Sequence, residues 1–160
     1  MQKYELKLYP DEVLSSMCKE VKLPLSKEDE ELLNAMYDYV KNHETAVGLA
    51  APQFGVLKRM IVIRYKDEQG HVFNCKLVNP KIIARGTQTY VAIGGESCLS
   101  EPDIRVEVAR KKNILLMGYD AILKRNVQYS LSNFKAAIAQ HEIDHLNGIT
   151  LHNYKENQNG

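Results

Sequence analysis

One stretch near the end of the chain, AIAQHEIDHLNG at 137–148, constrains it more than any other. Phe134, Ala137, Ile138, His141 and His145 follow three- and four-residue steps, so a helix places them on one face. Two histidines one turn apart have Cβ atoms about 6 Å from each other and can aim two imidazoles at a single point. The residues His141-Glu142-Ile143-Asp144-His145 fit H-E-x-x-H, a pairing that holds a metal ion. Glu142 lies about 100° around the helix from His141. It stands beside the ion, where it can exchange a proton with a water. Two histidines and a carboxylate on an otherwise apolar helix are costly to bury without such a purpose.

A catalytic site of this kind has three protein ligands and one open position. The motif alone suggests a metallopeptidase, and the third ligand decides. In the metzincin pattern that ligand falls at position 151, which is Leu; His152 is one place late, and no methionine follows Met117. A thermolysin-like enzyme supplies a glutamate well downstream, but the one glutamate after His145 is Glu156, near the tail. The third ligand must therefore come from upstream. Cys98 is the best candidate, because GGESCLSEPD places it between turn-forming glycines and a proline. Cys18, in a helical stretch, and Cys75, in an alternating strand, lack such surroundings. A purely structural site would need a fourth protein ligand near Cys98, and none is evident.

The 160 residues read as a single domain, 1–160, with no repeat or linker. Lys+Arg 21 against Asp+Glu 20 leaves a net charge of +1, which argues against a specific nucleic-acid footprint. No apolar run approaches the roughly 18 residues of a membrane span. The start, MQKYELKLYPDEV, lacks the apolar core of a signal peptide, so a cytoplasmic location is expected. Three cysteines at irregular spacing make a poor disulfide framework and are expected to be reduced.

A helix is predicted over SKEDEELLNAMYDYVKNHE, with Ser26 as N-cap, acidic residues in the first turn, and an apolar stripe of Leu32, Leu33, Met36, Tyr39 and Val40. A shorter helix is predicted near PDEVLSSMCKEV. MIVIRY, VFNCKLVNP, RVEVAR, NILLMGYD and NVQYSLS read as short strands. The last helix runs from about Asn133, capped by Ser132 or Asn133, to a C′ glycine at Gly148, and the tail KENQNG is expected to fray. The expected class is α+β, with short mixed or antiparallel sheets packed around the C-terminal motif helix.

Three stretches, in order, resemble the peptide deformylases: AVGLAAPQ at 46–53, ESCLS at 96–100 and QHEIDHLNG at 140–148. The family's versions read G-x-G-L-A-A-x-Q, E-G-C-L-S and Q-H-E-x-D-H. YPDEVL, VNP at 78–80 and RVEVAR also resemble family positions, so the similarity spans nearly the whole chain. The resemblance implies removal of the formyl group from nascent polypeptides that begin with formylmethionine, with the ribosome as a transient partner. It implies Cys98, His141 and His145 as metal ligands, Glu142 as acid and base, and Gln53 and the Leu99 backbone N–H as donors to the formyl oxygen. It favours Fe²⁺ in the cell, and the same ligands suit Zn²⁺, Ni²⁺ and Co²⁺.

Val47 and Gly48 are candidates to pair with an extended peptide, alongside Glu96 and Ser97. Phe134, Ala137 and Ile138 are candidates to line a methionine pocket. Arg110 falls where the family has an arginine expected to support the motif helix through Asp144. Ala46 and Ser97 stand where the family has glycines. Were those positions left-handed, the backbone would be strained by about 1–2 kcal/mol. The rival readings are a deformylase-like binder of N-terminal peptides with weak or altered activity, and an H-E-x-x-H metallopeptidase.

Overall fold

A computed structural model describes residues 3–159. Helix α1 (Lys27–Asn42) starts where Ser26 Oγ accepts from the Asp29 N–H at 3.1 Å. Among the described residues nine strands follow: β1 (Gly48–Ala50), β2 (Met60–Lys66), β3 (Val72–Arg85), β4 (Thr89–Tyr90), β5 (Glu96–Cys98), β6 (Glu101–Val106), β7 (Arg110–Lys111), β8 (Asn113–Asp120) and β9 (Arg125–Ser132). Helices α2 (Phe134–Leu146) and α3 (Leu151–Asn159) close the chain. The five-stranded sheet has the order β1-β2-β3-β8-β9, and β4-β7 and β5-β6 form two small ribbons. Every strand pair is antiparallel, which makes the fold α+β.

The MIVI run of β2 is buried at every residue because both sheet faces are covered. Ile61 and Ile63 pack with Ala136, Ile138 and Leu146 of α2. Met60 and Val62 face the opposite way, into Leu32, Leu33, Met36 and Val40 of α1. Period-two alternation thus feeds two cores from one strand. A third, smaller core gathers Cys98, Val106, Val108 and Leu151.

Four local expectations are corrected. The helix near 10–21 is only a 3₁₀ turn, Glu12–Ser15, because Cys18 N–H then bonds Leu146 O at 2.9 Å and Lys19 bridges to Lys58 in extended conformation. RVEVAR is not one strand. The chain leaves β5 at Val106 and joins β4 at Arg110, while buried Val108 between them keeps the alternation. Asn133 precedes α2, but with φ 57° its side chain makes no capping bond. The motif helix is not the last one. The tail expected to fray is helical through Asn159, and Gly160 lies outside the described residues.

The end of α2 is fixed tightly. Gly148 has φ 73°, its N–H reaches His145 O, and Ile149 N–H reaches Asp144 O, the paired bonds of a Schellman stop. Arg59 donates to Leu146 O at 3.1 Å and to Asn147 Oδ1 at 2.9 Å, setting a cation at the negative end of the helix. A Cβ on Gly148 would lie 2.8 Å from the backbone carbon of Ser15. Gly148→Ala is therefore expected to destabilise by about 3 kcal/mol, roughly 6–12 °C in Tm. A thermal melt checks this, and a shift within 2 °C would refute the close packing described.

Candidate active site

The histidine face of α2, with Phe134, Ala137, Ile138, His141 and Glu142, forms one wall of a cleft of about 730 Å³. Cys98 enters from the end of β5, held by the turn into β6, where it pairs with Glu101. Candidate ligand atoms of Cys98, His141 and His145 all lie within 4.8 Å of one another. Cys98 Sγ is 3.4 Å from His145 Nε2, and the two imidazole centroids are 5.1 Å apart.

An ion network underlies this trio. Glu96 Oε1 is 2.9 Å from His141 Nδ1, which turns His141 Nε2 towards the cleft. Arg110 donates through Nε and Nη2 to the two Glu96 oxygens at 2.9 and 2.7 Å, and through Nη1 to Asp144 Oδ2 at 2.6 Å. Tyr154 of α3 also donates to Asp144 Oδ2, at 2.6 Å. The contact expected between Arg110 and Asp144 is thus present, with Glu96 as a second partner. Glu96 borders the cleft, but its carboxylate is engaged by Arg110 and His141.

The environments divide the titrating groups. Burial raises the Cys98 thiol, against a downward pull from His141. Burial, then His141 and Arg110, keep His145 well below the usual histidine range, so it is a neutral imidazole with a free lone pair. For Glu96 the Arg110 and His141 contacts outweigh burial and keep it ionised. Burial pushes the Glu142 carboxyl up to about 7, with His141 opposing. Its Oε1 has no hydrogen-bond partner among the described residues, although the side chain is buried. A thiolate and two imidazoles suit a borderline divalent ion, and the orphaned carboxylate oxygen suits a water beside it. The residues present fit a three-ligand metal centre.

Gln53 closes the far end. Its Oε1 accepts from Ala50 N–H at 3.0 Å, and its Nε2 lies 3.1 Å from Ser100 Oγ and 3.7 Å from Cys98 Sγ. Val47, Gly48, Ser97, Leu99, Phe134, Ala137 and Ile138 border the same cleft. Neither Ala46 nor Ser97 has positive φ, so the strain suggested for them does not arise. Ser97 is exposed on the cleft wall, where its hydroxyl takes up space but does not bend the backbone.

Neither Glu101 nor Tyr154 could be picked out by motif or spacing. Glu101, fully buried, accepts from Leu151 and His152 N–H at 3.1 and 2.9 Å and contacts His152 Nδ1 at 2.8 Å. It pins the start of α3 to the strand beside Cys98. His152, which the metzincin pattern brought to notice, is held here, away from the ligand trio.

The polypeptide deformylase family model matches residues 3–159. The peptide deformylase of Shouchella clausii is 33% identical over 152 residues, covering 88% of this chain and 82% of its own length. A probable peptide deformylase from Synechococcus phage S-SSM7 superposes with a TM-score of 0.83 at 33% identity, covering 95% of this chain and 99% of that one. The class I type b enzyme of Acinetobacter baumannii, solved with Met-Ala-Ser bound, gives 0.80 at 27% identity over 92% and 94%. A family match across nearly the whole chain, on the same fold, leaves one assignment: the chain belongs to the polypeptide deformylase family.

Proposed function

We propose that this chain, acting as one catalytic domain, hydrolyses the formyl amide of formylmethionyl peptides at the cleft between α2 and β1. The observation that carries the reading is the convergence of Cys98, His141 and His145 beside the unpartnered Glu142 oxygen. In this reading Cys98, His141 and His145 hold one divalent ion, Fe²⁺ in the cell, on the strength of the family resemblance. When bound, the ion supplies Lewis acidity towards the formyl oxygen and makes water nucleophilic at neutral pH.

The side chains do the rest. Glu142 takes the proton of the attacking water, whose oxygen bonds to the formyl carbon. As the C–N bond breaks, Glu142 returns that proton to the departing amine, leaving formate and a free N-terminus. Its carboxyl, near 7, is suited to both transfers. Gln53 Nε2, held by Ser100, and the Leu99 backbone N–H donate to the oxygen where negative charge develops. Phe134, Ala137 and Ile138, with Tyr65 edge-on to Phe134 at 5.2 Å between centroids, receive the methionine side chain. Val47 and Gly48 pair with the peptide main chain along the free edge of β1. Ser97 flanks the peptide from the opposite wall, and Glu96 acts from behind by orienting His141.

No helix among the described residues is long and apolar enough to cross a membrane. The proposed setting is the cytoplasm, with nascent chains as substrate and the ribosome as a transient partner.

The test is formate release by metal-loaded protein from formyl-Met-Ala-Ser, beside acetyl-Met-Ala-Ser and a peptide blocked at both ends. Formate without internal cleavage is expected. Internal cleavage would restore the metallopeptidase reading, and tight binding without turnover would restore the binder.

Gly48 tests the placement of Glu142. A Cβ there would lie 2.7 Å from Glu142 Oε2 and 3.1 Å from its Cγ and Cδ. Gly48→Ala must therefore displace the carboxylate, and kcat is expected to fall by about 10²-fold with metal content unchanged. Full activity in that variant would mean Glu142 works from another position.

A further inference from the structure

The geometry points to a second groove that continues the cleft beyond Tyr39 and His43, and we propose that it takes a basic residue at the fourth to sixth position of the formylated chain. This rests on the deformylase reading above and extends it to substrate preference.

The direction of the peptide follows from which way the cleft is open. The reacting end is marked by Glu142, whose carboxylate lies against Gly48. Towards the C-terminal end of β1 the path closes, since Leu49, Ala50 and Ala51 are all 0% exposed and Gln53 is 2% exposed. In the other direction the lining runs on through Val47, Ala46 and Thr45 to His43 and Tyr39. A peptide seated on β1 must therefore leave antiparallel to it. At about 3.3 Å per residue, an extended chain leaving along this lining would carry its fourth to sixth residues towards the turn at His43.

Tyr39 and His43 also border the second groove, of about 550 Å³, so the two spaces share a wall. Aromatic rings line the second groove. Tyr4 stacks on Phe54 with centroids 5.7 Å apart, and Tyr39 meets Phe54 edge-on at 5.5 Å. Glu31 and Asp38 supply carboxylates. The chain's own Lys3 displays the chemistry such a place selects: its Nζ lies 5.5 Å from the Tyr4 centroid and 3.7 Å from Glu31 Oε2. Asp38 has no ion-pair partner among the described residues, so one carboxylate beside the rings remains for an incoming cation. A lysine or arginine would lay its aliphatic stem on the aromatic surface and bring its charge to Asp38.

The experiment compares kcat/KM for formyl-Met-Ala-Ser with that for the same peptide extended by three lysines, three glycines or three glutamates. Wild type is expected to favour the lysine peptide over the glutamate peptide by about 3–10-fold, mainly in KM, with glycine between them and the preference fading in 0.5 M salt. In Asp38→Lys the lysine-to-glutamate ratio should invert, each ratio being read within one protein. Binding of the unformylated product Met-Ala-Ser-Lys-Lys-Lys, followed by calorimetry, should weaken in the same variant. Equal kcat/KM for all extensions, with formyl-Met-Ala-Ser still turned over, would overturn the groove and leave the deformylase reading intact. No turnover of any formyl peptide would instead overturn that reading. An unchanged ratio in Asp38→Lys would show that the preference arises elsewhere and would equally overturn the proposal.

Discussion

Glu142→Gln is expected to hold its ion as well as wild type and to turn over about 10²–10⁴-fold more slowly. The amide fills the same space against Gly48 but cannot accept the water's proton or return it to the amine. On the proposed assignment Glu142 stands beside the ligand trio without belonging to it, so metal content by elemental analysis should stay at the wild-type level. Loss of metal together with activity would mean that the carboxylate is a ligand.

The same substitution has a second readout in the metal-free protein. Burial raises the carboxyl from its ordinary 4.5 to about 7. Between those values the folded chain binds more protons than the unfolded one, so stability present at low pH is lost as pH rises towards 7. Glutamine carries no charge to bury. Metal-free Glu142→Gln should melt about 7–13 °C above metal-free wild type at pH 8, with the gap shrinking towards pH 5. A constant gap would show that charge is not its cause.

Cys98→Ala should lose the metal itself. The trio has one thiolate and two imidazoles, and alanine leaves two ligands on one helix face. Removing an outer support such as the Glu96 carboxylate lowers metal affinity by roughly 10–100-fold. Removing a ligand should exceed that, so Cys98→Ala is expected to emerge from dialysis essentially metal-free while Glu96→Gln retains a fraction. Wild-type stoichiometry in Cys98→Ala would place the third ligand elsewhere and reopen the metallopeptidase reading.

The parts of this fold that could be read from the sequence are those written in local periodicity. The Ser26 cap and the stripe of α1 are contained in one segment, and so are the alternation of β2 and the step from His141 to His145. Cys98 stood out because its glycine-rich surroundings differ from those of Cys18 and Cys75. The parts that could not be read depend on partners distant in sequence. Helix α3 looks like a polar tail because its own residues do not make it a helix: Glu101 holds its first N–H groups from the β6 strand, and Arg110 and Asp144 hold Tyr154. Glu96 sits inside a motif that pointed to substrate, and only the fold reveals that Arg110 lies behind it. The second groove is assembled from Tyr4, Tyr39 and Phe54, three stretches that no spacing rule connects.

Strand β1 is only three residues long and, among the described residues, has a neighbouring strand on one side alone. An open strand edge attracts other strands, including those of further copies of the chain. Three residues offer few main-chain bonds, each adding about 1 kcal/mol net, so no passing strand gains enough to remain on that account alone. The edge aligns a guest without trapping it. On the proposed reading, once the formyl group has gone the shortened peptide would keep the alignment but lose what held its end, so the brevity of β1 would favour its departure and the next turnover.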